Sequence, residues 1–136
     1  MMEDEELDRI KQKQLQDLMN AQKEAQIQAQ AEVLELDVNS FDNTIQGNNL
    51  VLVDFWAEWC GPCRAMHPVF ERMAKKYPAI KFARVNVDQA QPVAQRFQVQ
   101  AVPTFIMFKN GEVVDRMMGA VGEPGIHMIA KKYLNL

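Results

Sequence analysis

Val51-Leu52-Val53-Asp54-Phe55-Trp56-Ala57-Glu58-Trp59-Cys60-Gly61-Pro62-Cys63-Arg64 opens with the composition of a strand and closes at the start of a helix. Val51–Trp56 is apolar, β-branched or aromatic at every position but Asp54, which suits a buried strand. Beyond Cys63, apolar residues recur at Met66, Val69, Phe70, Met73 and Ala74, which is helical spacing. Two thiols therefore fall where a strand passes into a helix. The first N–H groups of a helix lack intrahelical partners, and its N-terminus carries partial positive charge. Cys60, just ahead of that end, is expected to have its thiolate stabilised. Pro62 suits a first helical position, and Gly61 leaves room for another backbone to approach. The two cysteines bracket a single turn, so they can close into a disulfide and reopen. This is the pattern of a redox switch.

Outward from this stretch the pattern alternates. Val33–Leu36 reads as a first strand, followed by a helix from Phe41 to about Gln46 that Asn39 or Ser40 can cap and Gly47-Asn48-Asn49 stops. Leu50–Trp56 is the central strand, and a helix runs from Pro62 to Lys76, with Pro68 inside it expected to kink it. Ile80–Val87 follows as a strand, then a short helix around Pro92–Phe97. Thr104–Lys109 and Glu112–Met118 flank Asn110-Gly111, a strong hairpin signal. Glu123–Leu134 is a last helix. Strands alternating with helices imply parallel pairing, and the hairpin adds an antiparallel pair at one side. The expected fold class is α/β: a mixed five-stranded sheet flanked by four helices. Chemistry in such sheets sits beyond the carboxyl ends of the strands, where Cys60 falls.

The chain has 136 residues, 48% of them apolar and 24% charged, with a net charge of −3. That is enough for one domain with a real core, and no apolar run is long enough to span a bilayer. Residues 1–32 hold eight acids and four bases (net −4), and residues 33–136 hold ten acids and eleven bases (net +1). The folded part lacks the basic field that nucleic acid requires. Six Lys/Arg between Arg64 and Arg84 are interleaved with apolar residues and read as a solvated helix face. Met-Met-Glu-Asp-Glu-Glu lacks the basic and apolar blocks of a secretory signal, so the cytoplasm is the expected compartment. A closely spaced cysteine pair there points to catalysis or metal binding rather than a structural staple.

From Glu3 to about Ala31 the chain is helix-prone, without Gly or Pro. Leu7, Ile10, Leu15, Leu18, Met19, Ala25 and Ile27 make only a narrow, interrupted stripe, and Gln14 and Gln22 fall where a coiled coil would want apolar groups. A solvated helix or tail is the first expectation; docking, self-association and partner recruitment remain open. The expected division is an extension at 1–32 and a domain at 33–136.

Asp54 interrupts the central strand on the same face as Trp56. A carboxyl buried there should have a raised pKa unless paired and could accept a proton from Cys63 through water. It could also pair with a base such as Arg84 on the neighbouring strand, and the two readings are compatible. Val102-Pro103-Thr104 places a proline directly before a strand. A cis bond there would expose the Val102 backbone to an extended substrate segment, although trans is the default for the residues alone. Cys60, Cys63 and His67 are three possible ligands for a metal, but structural zinc wants four and there is no third cysteine. No metal or other cofactor is expected. His67 reads as a solvated or capping side chain, Trp56 as core, and Trp59 as a half-exposed cover for the thiols. Met66 and Met73 fit the core, and Met117 and Met118 fall close to the expected groove.

Trp59-Cys60-Gly61-Pro62-Cys63, Val85-Asn86-Val87-Asp88, Val102-Pro103-Thr104, Phe108-Lys109-Asn110-Gly111 and Gly119-Ala120 together resemble the thioredoxin family, over about Val33 to Leu136. The resemblance implies the thioredoxin fold and a protein-disulfide reductase recharged by a thioredoxin reductase. It implies Cys60 as the attacking thiol, Cys63 as the resolving thiol, Asp54 as the buried acid and Pro103 as a cis proline. Trp59, Gly61, Pro62, Val102, Gly119 and Ala120 would line the substrate groove. Disulfide-containing proteins and the reductase are the expected partners of a monomer, with neither nucleic acid nor membrane among them. Arg84 stands where the family often has Lys beside the buried acid. The rival reading is a non-catalytic binding module that recruits partners through residues 1–32.

Overall fold

The computed structural model describes residues 2–30 and 32–135, with side-chain surroundings for 4–23 and 32–135. The chain divides into two compact units, Met1–Gln30 and Ala31–Leu136. The first is a single helix, α1 (Met2–Gln30), matching its good helix formers and acidic first turn. Leu7, Ile10, Leu15, Leu18 and Met19 are exposed on it. The side chains of Ala25 and Ile27, and Ala31 itself, lie outside the described residues.

The second unit follows the alternation of its apolar runs: β1 (Leu34–Leu36), α2 (Phe41–Gly47), β2 (Leu50–Trp56), α3 (Gly61–Lys76), β3 (Lys81–Asn86), α4 (Gln91–Arg96), β4 (Thr104–Lys109), β5 (Glu112–Met118) and α5 (Gly122–Leu134). The strands form one sheet in the order β1-β3-β2-β4-β5. β3 pairs in parallel with both β1 and β2, whereas β4 runs antiparallel to β2 and β5. The β4–β5 turn places Asn110 and Gly111 at φ of 53° and 84°, the left-handed pair that a two-residue hairpin requires.

β3 is shorter at both ends than its apolar run, Ile80–Val87. Ile80 donates to the Tyr77 carbonyl and so closes the turn after α3, rather than joining β3. At the other end, Asn86 Oδ1 accepts from the amides of Asp88 and Gln89 and bends the chain away from the sheet. Ser40 occupies the position before α2 without a side-chain cap; its Oγ accepts from the Asp37 amide, and Asp37 Oδ1 accepts from Asn39 and Ser40.

Strand alternation sends Leu50, Leu52, Phe82, Phe105 and Met107 to one face, where α3 and α5 cover them with Met66, Phe70, Met73, Ile126 and Ile129. The other face carries Val51, Val53, Phe55, Val85, Ile106 and Phe108 beneath Phe41 and Ile45 of α2 and Val93 of α4. Phe70 is fully buried between Phe82 and Phe105, with ring centroids 4.9 and 5.7 Å away. A buried aromatic of this kind contributes about 3–5 kcal/mol, so α3 is held firmly on the sheet. Pro68 lies within α3 without ending it, and its missing N–H removes only one donor. The start of α3 is thereby fixed at the carboxyl end of β2.

Candidate active site

β2 ends at Trp56, and the Cys60 amide donates to the Ala57 carbonyl at 3.2 Å, turning the chain into α3. Cys60 occupies the N-cap of that 16-residue helix, with Pro62 in its first turn. The Cys63 amide points at Cys60 Sγ over 3.2 Å, so one of the helix's orphan donors is spent on sulfur. Cys60 and Cys63 are joined by a disulfide, with Cα atoms 5.3 Å apart. Cys63 is wholly buried and Cys60 nearly so; the Ala57 methyl and parts of Trp56, Val87 and Val102 pack around them. Such a site protects the inner sulfur and leaves Cys60 as the edge that a second chain can reach.

The Val102–Pro103 peptide is cis. Cys60 Sγ lies 3.6 Å from the Val102 carbonyl oxygen, and the Pro103 carbonyl accepts from the Gly119 amide at 2.9 Å. These contacts bring Cys60, Val102, Pro103 and Gly119 together from three separate loops. Thr104 Oγ donates to the Ala101 carbonyl and ties the same turn shut. Gly61 and Pro62 are exposed beside the disulfide, and Ala120 is exposed next to Gly119. Gly119 has a φ of 89°, a backbone state that side chains disfavour. Met117 is half-buried against the core, whereas Met118, opposite Thr104 in the ladder, is 67% exposed.

Trp59 is 71% exposed, more open than a half-covering lid, and its indole N–H donates to Asp88 Oδ2 at 3.0 Å. Asp88 is a residue that periodicity did not single out, because only the Asn86 turn brings it back to Trp59. Trp56 is partly covered instead of being core, and its ring meets the edge of His67 at 4.7 Å. His67 is partly exposed, but its Nε2 is buried without a hydrogen-bond partner, and desolvation, then the nearby Arg84 charge, lowers its pKa.

Asp54 is completely buried, and neither carboxylate oxygen has a hydrogen-bond partner. Desolvation pushes its pKa up to about 7, against the lowering pull of Arg84. Pairing with Arg84 does not occur. Arg84 stands opposite Asp54 in the β2–β3 ladder, but its guanidinium meets Glu35 at 3.2 Å and Glu71 at 3.5 Å. Arg84 is itself buried, so the six bases between 64 and 84 do not all lie on a solvated face. Among the described residues no group of three or more His, Cys, Asp or Glu side chains is placed to hold a metal ion.

A disulfide capping a long helix beside a cis proline, with a buried acid in the strand that leads to it, is the arrangement expected of the family that the motifs resemble. The family model described as Thioredoxin matches residues 32–132. The chain belongs to the thioredoxin family. It is 48% identical over 82 residues to a thioredoxin H-type of Picea mariana, a match covering 60% of this chain and 66% of that protein. It is 40% identical over 106 residues to the chloroplastic thioredoxin M5 of Oryza sativa subsp. japonica, covering 76% of this chain and 62% of that one. The matches thus span slightly less than two thirds of these two relatives. Among solved structures, the thioredoxin of Plasmodium falciparum superposes with a TM-score of 0.71 at 37% identity, over 74% of this chain and 99% of that one. All of these thioredoxin matches leave part of the chain uncovered, and the family model begins only at residue 32.

Proposed function

We propose that the chain is a protein-disulfide reductase working by dithiol–disulfide exchange at Cys60 and Cys63. The observation that carries this reading is the closed Cys60–Cys63 disulfide at the start of α3, with Cys60 Sγ at the rim beside the Val102 carbonyl. In the reduced protein the Cys60 thiolate attacks one sulfur of a substrate disulfide. One Cys60–substrate bond forms, and the other substrate sulfur leaves as a thiolate that takes a proton from water. Cys63 then gives its proton to Asp54, and its thiolate attacks Cys60 Sγ. The mixed disulfide breaks, the second substrate sulfur departs as a thiolate that takes up a proton while Asp54 gives its proton back to water, and the Cys60–Cys63 bond reforms. Two electrons have passed to the substrate, and a dithiol donor of the thioredoxin-reductase kind returns them.

Asp54 suits that step because burial keeps its carboxyl near neutrality, where it can both gain and lose a proton. Trp59, Gly61, Pro62, Val102, Pro103, Gly119 and Ala120 frame the groove in which an extended substrate strand would lie, pairing with the Val102 backbone. Disulfide-containing proteins are the substrates in this reading, and the protein works as a monomer. Neither nucleic acid nor membrane enters it: the domain is close to neutral, and no described helix is long and apolar enough to cross a membrane. We place the protein in the cytoplasm, where exchangeable thiol pairs are kept reduced. Residues 33–136 carry the chemistry, and 1–32 are peripheral to it. Reduction of insulin by a dithiol donor tests the reading. Turnover by the native chain, lost in Cys60→Ser, is expected; no turnover, or full turnover in that variant, would overturn it.

A further inference from the structure

One row of side chains crosses three parallel strands behind the disulfide. Glu35 of β1 is in register with Arg84 of β3, which is in register with Asp54 of β2. Partners in register share a face of the sheet, and this face is the one α3 covers. The row runs from surface to interior: the Glu35 side chain is 63% exposed, that of Arg84 is 9% exposed, and Asp54 is wholly buried. Glu71 of α3 reaches the same guanidinium from above.

The pairing within this row is lopsided. A guanidinium stays charged at any working pH, and it matches a carboxylate geometrically. The buried carboxyl directly opposite Arg84 has no hydrogen-bond partner, and Arg84 Nε and Nη2 have none either. Yet the guanidinium turns Nη1 to Glu35 in a hydrogen bond and brings Nη2 within 3.5 Å of Glu71, two carboxylates that water already solvates. A buried ion is stabilised most by a counter-ion, so this preference needs a cause. Two carboxylates acting together supply one, since both pull the guanidinium toward β1 and α3.

We infer that Glu35 and Glu71 are positioning residues for the proton step: by holding the Arg84 guanidinium, they keep the Asp54 carboxyl without a counter-ion and able to exchange a proton with Cys63. This rests on the dithiol–disulfide reading above. The remaining groups on this face leave the assignment intact. From α3 come Cys63 and His67, and β4 presents only Phe105 opposite Asp54. α5 contributes Glu123 and His127, which are engaged with Arg72 and Tyr77.

Two double variants of the full chain test this, each at exposed positions that leave the core untouched. Asp54 is followed through its carboxyl carbon by NMR across pH 4–9, alongside the pH profile of insulin reduction. In Glu35→Gln with Glu71→Gln the guanidinium turns to Asp54, and its midpoint should fall by about one pH unit or more. Glu35→Asp with Glu71→Asp keeps both charges but shortens their reach, and it should also lower the midpoint. An unmoved midpoint in the first pair overturns the inference. So does a fall confined to the first pair, because that would be plain loss of repulsion from the two acids. The titration answers without any turnover, whereas failure of the native chain to reduce insulin would strike the functional reading alone.

Discussion

Asp54 and Arg84 face one another on adjacent parallel strands, yet no hydrogen bond or ion pair joins them. The acid is left in an apolar interior with its charge uncompensated, and desolvation outweighs the pull of the neighbouring cation. The fold therefore holds a proton there up to about pH 7, whereas the unfolded chain releases it near the ordinary carboxylate value of 3.8.

That difference ties stability to pH. Between about pH 4 and 7 the native state binds a proton at Asp54 that the unfolded state does not, so this residue's contribution declines as pH rises through that window. Asp54→Asn, which cannot ionise, should be more stable than the native chain at pH 8 by an amount on the order of a few kcal/mol. The gap should close toward pH 4, and denaturant unfolding at both pH values measures it. The same variant should slow the resolving step at neutral pH.

Cys63→Ser keeps the attacking sulfur and removes the resolving one. Incubated with a protein disulfide, it should accumulate a stable covalent adduct through Cys60, visible by non-reducing electrophoresis and dispersed by dithiothreitol. Cys60→Ser should form none, since Cys63 is wholly buried.

Trp59 contributes little to packing, being 71% exposed with its indole N–H donating to Asp88, and in the proposed function it borders the substrate groove. Trp59→Ala should leave unfolding within about 0.5 kcal/mol of the native value. Its KM for insulin should rise several-fold, as loss of an exposed aromatic contact predicts. Asp88→Asn retains an acceptor for the indole and should fall between the two.

Most of the fold was legible because the strands of the domain are short and punctuated, and β2 and β4 are mostly apolar. Leu50–Trp56, Thr104–Lys109 and Glu112–Met118 appear with the bounds that composition and the Asn110-Gly111 turn imply. Register was not legible. Glu35 and Arg84 are 49 residues apart, and nothing in either segment says that they are neighbours or that Arg84 would prefer Glu35 and Glu71 to Asp54. His67 reads as a solvated or capping side chain for a related reason: helical spacing leaves it beside the apolar stripe, and the half-buried Trp56 ring that meets it comes from β2. The cis state of Val102–Pro103 came from family resemblance, since the residues alone favour trans.

The helix Met2–Gln30 belongs to a unit separate from the one that carries the disulfide. A chain of residues 32–136 should reduce insulin within about twofold of the full protein, as expected when a segment outside the chemical unit is removed. Loss of turnover in a truncated chain with a native circular dichroism spectrum would assign the helix a part in the chemistry.

Ionisation of Cys60 in the reduced protein tests the central claim most directly. The sulfur sits at the start of a 16-residue helix and accepts the Cys63 amide, and both favour its anion. Iodoacetamide alkylation of Cys60 against pH, read by mass spectrometry, should give a midpoint clearly below the free-thiol value of about 8.5. A midpoint at or above that value would contradict the account.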